Sequence, residues 1–174
     1  MAVPNQQIWD PVLRLLHWLL SLVFVVNYWL LEHGEFWHRT VGYAGLFIVL
    51  CRIVWGYYGP PRARFSWQAI TPRAWRLHLL HLQTRQFDAD AGHNPFGFLW
   101  LYLTLTLVLA LATSGFLLEE VDYFFGSDRL ESLHGWFADT LFVLAMVHVV
   151  AVLLMQWWGR TALIRPMITG KRQP

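Results

Sequence analysis

Charge is scarce in this chain. Only 14% of its 174 residues are Asp, Glu, Lys or Arg, where a water-soluble domain carries about a quarter. That deficit excludes an ordinary soluble enzyme, and no nucleic-acid partner is expected. Cysteine is nearly absent too. Cys51 stands alone, which rules out an intramolecular disulfide. No C-x-x-C-H occurs, so no cofactor is attached through thioether links. A basic region ahead of the first apolar run is also missing. "MAVPNQQIWD" has no Lys or Arg, and the run that follows is long enough to span a bilayer. It reads as an anchor that stays, not as a cleaved leader. There is no internal repeat and no low-complexity segment.

Apolar residues and tryptophan are abundant, at 56% hydrophobic with eleven Trp. Four apolar segments approach the roughly 20 residues needed to cross a bilayer. They run over about 11–31, 38–58, 95–118 and 131–158, with a long loop at 59–94. Asp10-Pro11 and Asn94-Pro95 each place a capping side chain before proline at a first helical position. Trp9, Trp29, Trp37, Trp55, Trp100, Trp136, Trp157 and Trp158 lie near span ends, as an interfacial belt would. Within the long loop, Thr71-Pro72 opens "RAWRLHLLHLQTR", a basic amphipathic pattern that suits either a helix on the inner membrane surface or an ordinary basic loop held near anionic lipid.

Basic residues orient the spans. Arg14, Arg52, Arg62, Arg64, Arg73, Arg76, Arg85, Arg160, Arg165, Lys171 and Arg172 fall on one side, leaving Arg39 and Arg129 for the other. The positive-inside rule then puts both termini and the 59–94 loop in the cytoplasm. The two short outer loops carry Glu32, Glu35, Glu119, Glu120, Asp122, Asp128 and Glu131, seven carboxylates against two arginines, for a net of −5. The inner face, eleven basic residues against Asp10, Asp88 and Asp90, nets +8.

Ionisable imidazoles inside such spans need a reason. His134 and His148 are fourteen residues apart on the fourth span, roughly 21 Å along a helix and only about 40° from the same face. One metal cannot take both, but two sites stacked across the bilayer can. His17 lies near the inner start of span one and matches His148 in depth. His38 heads span two on the outer side and matches His134. Two bis-histidine sites suit two haems b, since imidazole is a usual axial ligand and a four-helix bundle is a suitable container.

The surroundings agree with that reading. Gly42 and Gly45 follow His38 on its own face, flat enough for a macrocycle. Arg52 sits on the same face at the inner depth, and Arg14 lies one turn from His17. Both can pair with propionates, or Arg14 can snorkel to the headgroups. His33, His78 and His81 read as loop or surface residues, and His93 as the neighbour of a cap. A rival reading takes "EFWH" and "ESLH" as Glu-x-x-His di-iron motifs. It needs inward glutamates that spans one and three offer only at their ends, and it leaves His17 and His148 idle.

"WDPVLRLLHW", "HRTVGYAGLFIVLCRIVWG", "HNPFG", "LHGWFADTLFVLAMVH" and "MITGK" resemble the bacterial cytochrome b561 family, and within it the b-type subunits associated with nickel–iron hydrogenases. The resemblance covers nearly the whole chain. It implies four transmembrane helices, two non-covalent haems b on His17, His38, His134 and His148, and electron exchange between membrane quinone and a redox partner. The expected molecule is an all-α membrane protein, one domain over 1–174. Its four-transmembrane-helix bundle would hold two haems b in the bacterial inner membrane, among lipid, as part of a respiratory chain. The acidic outer face suits a basic periplasmic carrier such as a c-type cytochrome. An alternative from the same resemblance is a superoxide oxidase that passes electrons to ubiquinone. An anionic substrate would be drawn by a basic funnel, which the outer face does not offer.

Overall fold

The computed structural model describes residues 8–84, 95–158 and 162–171. All regular elements among them are helical, with no strand. Helix α1 covers Pro11–Val25 and runs on as a π-turn through Val26–Leu30. Then come α2 (Phe36–Tyr58), α3 (Pro72–Thr84), α4 (Pro95–Glu120), α5 (Asp128–Trp158) and α6 (Ile164–Thr169). Four of these, α1 with its π-turn, α2, α4 and α5, are long and apolar enough to cross a membrane.

The helices overrun the apolar windows expected from sequence. α5 begins at Asp128, α2 at Phe36, and α4 continues to Glu120. Hydropathy marks the lipid slab, whereas a backbone ladder stops only where caps or turns stop it. Asp128 and Glu131 in the first turn of α5 also suit the positive end of the helix dipole.

Helix starts follow their caps. Asp10 Oδ1 accepts the Leu13 N–H at 3.0 Å and the Trp55 indole N–H at 3.0 Å. One carboxylate thus caps α1 and fastens it to the end of α2. Thr71 Oγ1 accepts the Ala74 N–H at 3.4 Å and opens α3. The segment predicted to be helical within the long loop is helical. Its Trp75 packs edge-on against Phe96 in the first turn of α4, with ring centres 4.6 Å apart. His93, Asn94 of the second expected cap, Arg85, Asp88, Asp90, Arg160 and Arg172 lie outside the described residues.

Two compact units make up the chain. The first comprises Met1–Leu15, Ile53–Tyr102 and His148–Pro174, and the second Leu16–Arg52 and Leu103–Val147. Each long helix contributes a piece to both. In the first unit Ile8, Leu13, Ala63 and Phe98 are buried. The chain ends are tied together there: the Ile8 N–H donates to the Gly170 carbonyl at 2.8 Å, and Arg14 donates to the Ile168 carbonyl. Gly170 has φ +79°, and a Cβ there would lie 3.1 Å from the Arg14 guanidinium carbon. Both the backbone angle and the contact require glycine.

The second unit buries Leu16, Ile48, Val49, Leu105 and Leu141, together with two polar residues, Arg52 and Ser114. In lipid, a leucine facing a helix gains little over one facing an acyl chain, so close approach decides packing. That is why Leu22, Phe47 and Val143 point outward while Gly45 is buried. A Cβ on Gly45 would sit 3.0 Å from Val23 Cγ1, and one on Gly42 3.5 Å from Asn27 Nδ2. At these glycines α2 comes close to the first span. The π-turn that ends α1 sets Tyr28 parallel to Phe142 at 5.1 Å and lets its hydroxyl donate to Asp139 at 2.9 Å. Asp139, which the charge count assigned to neither face, is satisfied in this way.

Candidate functional site

In the second unit the first turn of α2 carries His38 and the second turn of α5 carries His134. Their ring centres are 6.2 Å apart, with planes at 64°. Both rings are half-buried. His38 Nδ1 is buried and makes no hydrogen bond among the described residues.

The separation has a chemical meaning. An imidazole nitrogen binds a first-row metal at about 2.0–2.1 Å and lies about 1.1 Å from its ring centre, so two axial imidazoles on one ion have centres roughly 6.3 Å apart. The His38–His134 distance matches that value. Two ligands do not hold a bare ion, and among the described residues no group of three or more His, Cys, Asp or Glu can hold one. The pair therefore fits a metal that arrives with its other donors already in place, as haem iron does in its macrocycle. The spacing of the two rings suits the group.

α4 supplies neither histidine, yet it supports both. Ser114 Oγ lies 2.9 Å from His134 Nδ1. Gly115 faces the same ring, and a Cβ there would meet His134 Cε1 at 3.4 Å, an ordinary contact. At the end of α4, Glu119 accepts from Arg39 at 2.9 Å, directly after His38 in sequence. Glu120 accepts from the Tyr43 hydroxyl at 3.4 Å. Glu119, which the di-iron reading would need as a ligand, is thus engaged by an arginine.

A third imidazole joins this cluster. His33, set aside in the sequence as a loop residue, has its ring centre 5.4 Å from that of His38. The turn that brings it there closes through the Glu35 N–H donating to the Glu32 carbonyl at 3.3 Å. It passes through Gly34 at φ +77°. No period or spacing in "LEHGEFWH" announces that turn geometry. Ser114 and Gly115 were also missed. Their only signal is that "TSG" interrupts an otherwise apolar run.

The other expected site residues divide between the units. His17 belongs to the second unit and His148 to the first. His17 meets Trp18 edge-on at 5.2 Å, and its carbonyl accepts from Ser21 Oγ at 2.9 Å. His148 is stacked against Trp100, ring centres 5.9 Å apart at 27°. Arg14 in the first unit is engaged by the Ile168 carbonyl, with its Nε buried and unpartnered among the described residues. It reaches back to the chain's own last helix. Arg52 is 7% exposed in the second unit, unusually deep for a guanidinium.

Comparison with known proteins gives one match over most of the chain. A family model described as prokaryotic cytochrome b561 covers residues 8–170. No curated protein and no solved structure matches.

Proposed function

The chain belongs to the prokaryotic cytochrome b561 family, and from that membership we infer that it carries electrons between membrane quinone and a periplasmic redox partner. It is a multi-pass membrane cytochrome b of electron transfer. A haem b held by two imidazoles supplies a one-electron carrier with no open coordination position. The chain's own task is then to hold, insulate and address it.

The observation that carries this reading is the His38–His134 pair, with ring centres 6.2 Å apart. Those two residues hold one group. His17 and His148 hold a second, a pairing that rests on their depths in the sequence. Arg14 and Arg52, whose guanidinium groups suit carboxylates, serve the propionates of that inner group, and the quinone site belongs in its neighbourhood. The distribution of Lys and Arg puts the termini in the cytoplasm, within the bacterial inner membrane. The two loops near His38 and His134 then face the periplasm with Glu32, Glu35, Asp122, Asp128 and Glu131 exposed. Such a surface guides a basic carrier of the c-type cytochrome kind, and it disfavours an anionic substrate.

Single alanine variants test the ligand sets. His38→Ala and His134→Ala should each remove the same component of the reduced-minus-oxidised spectrum, and His17→Ala and His148→Ala the other. If His38→Ala and His134→Ala removed different components, the pairing would be wrong.

A further inference from the structure

Ser114 is 4% exposed, a buried hydroxyl on the one long helix that supplies no histidine ligand. Its Oγ lies 2.9 Å from His134 Nδ1, 2.8 Å from the Ala110 carbonyl oxygen and 3.1 Å from the Leu111 carbonyl oxygen. A hydroxyl has one proton to give and two lone pairs to accept with. The carbonyls can only accept.

Two arrangements are possible, and they are not equivalent. If the hydroxyl proton pointed at Nδ1, the serine oxygen would face the Ala110 oxygen at 2.8 Å with no proton between them. Two acceptor oxygens would then be opposed at hydrogen-bond distance in a buried place, a repulsion that the hydroxyl avoids by turning its proton to the carbonyl. If the proton goes to Ala110, the usual back-bond of a helical serine, the oxygen's lone pair faces Nδ1 and accepts its N–H. Every group is then satisfied. That second arrangement fixes the imidazole as the tautomer protonated on Nδ1, with the lone pair on Nε2.

We propose that Ser114 is a positioning residue that holds His134 as its Nδ1–H tautomer, leaving Nε2 free to bind haem iron. The proposal rests on the reading of His134 as a haem ligand. It adds a residue from the third span to the site and a sign to its chemistry. A hydrogen bond accepted from the far nitrogen makes the ligating nitrogen more basic. Ser114 therefore favours the ferric state and holds the potential of the His38–His134 haem down.

The test uses purified full-length protein in four forms: wild type, Ser114→Ala, Ser114→Thr and His134→Ala. Each is measured for haem-to-chain ratio and by spectroelectrochemical titration. Ser114→Ala should keep its haem content. The haem that His134→Ala removes should titrate at higher potential, with the ferric-to-ferrous ratio at fixed ambient potential falling more than about twofold and at most about tenfold, a ceiling set by the full worth of one neutral hydrogen bond. A tenfold change is about 59 mV for one electron. The other component should not move. Ser114→Thr, which keeps the hydroxyl, should return the wild-type value, and it carries the test if Ser114→Ala loses its haem. A Ser114→Ala protein that titrates within about twofold of wild type would overturn the proposal, as would equal movement of both components. So would a threonine variant that fails to restore the wild-type potential. A His134→Ala protein with full haem content would overturn the ligand reading instead, a separate and visible failure.

Discussion

Breaking the ion pair between Arg39 and Glu119 should loosen the end of the molecule that carries the His38–His134 pair. The two groups are 2.9 Å apart, with side chains 37% and 28% exposed. Coulomb's law at that separation gives about 1.4 kcal/mol in water and about 5.7 kcal/mol at an effective dielectric of 20. Neither is the net effect. Desolvation and the freezing of two long side chains reduce exposed pairs to about 0.2–1 kcal/mol. This pair is mostly shielded and joins the first turn of α2 to the last turn of α4, so we expect the upper end. About 1 kcal/mol is roughly a fivefold change in the folding equilibrium. The assay is a double-mutant cycle on Arg39→Met and Glu119→Gln, read as fraction folded along a detergent-to-SDS titration by circular dichroism. The coupling energy should be about 1 kcal/mol at low salt. It should shrink at 1 M salt, where the Debye length is about 3 Å. Single effects that add with no coupling, or a coupling indifferent to salt, would refute the reasoning.

Two glycines should respond in opposite directions. Gly45→Leu forces carbon into a space where even a Cβ stands 3.0 Å from Val23, and should destabilise by about 1–3 kcal/mol. Gly135→Ala in α5 meets nothing within 4 Å and should stabilise by about 0.5–1 kcal/mol; the same SDS titration reads both. At the outer surface, electron exchange with a basic cytochrome c should slow as salt rises. Glu32→Gln, Glu35→Gln and Asp122→Asn together should lower the association rate in stopped flow more than the rate within the complex. Glu119 is left out of that set because it is tied to Arg39. A rate flat with salt would sink the docking idea.

The spans were legible because lipid imposes a length and a composition that any window of sequence reveals. The caps were legible because Asp10-Pro11 and Thr71-Pro72 are local. The pairing of His38 with His134 was legible from depth, and what escaped were the long-range contacts that no depth or spacing marks. The pairing of Arg39 with Glu119 crosses eighty residues, and nothing in either loop marks it. Ser114 and His134 are twenty residues apart on different helices, so no helical period links them. Gly42 and Gly45 were read for the space they leave beside His38. In the structure the neighbours nearest to them are Asn27 and Val23 of the first span. His33 depended on a turn through Gly34, and the tie from Arg14 to the Ile168 carbonyl on a short last helix whose sequence, "IRPMIT", looks like a tail.

The most direct measurement is the haem-to-chain ratio of the purified protein, from its pyridine haemochrome spectrum, beside the reduced-minus-oxidised spectra of the wild type and of His134→Ala. Two haems b per chain, falling to one in His134→Ala with loss of a single spectral component, is the predicted result. One haem per chain that survives His134→Ala would contradict the assignment of the outer pair, and no haem at all would end it.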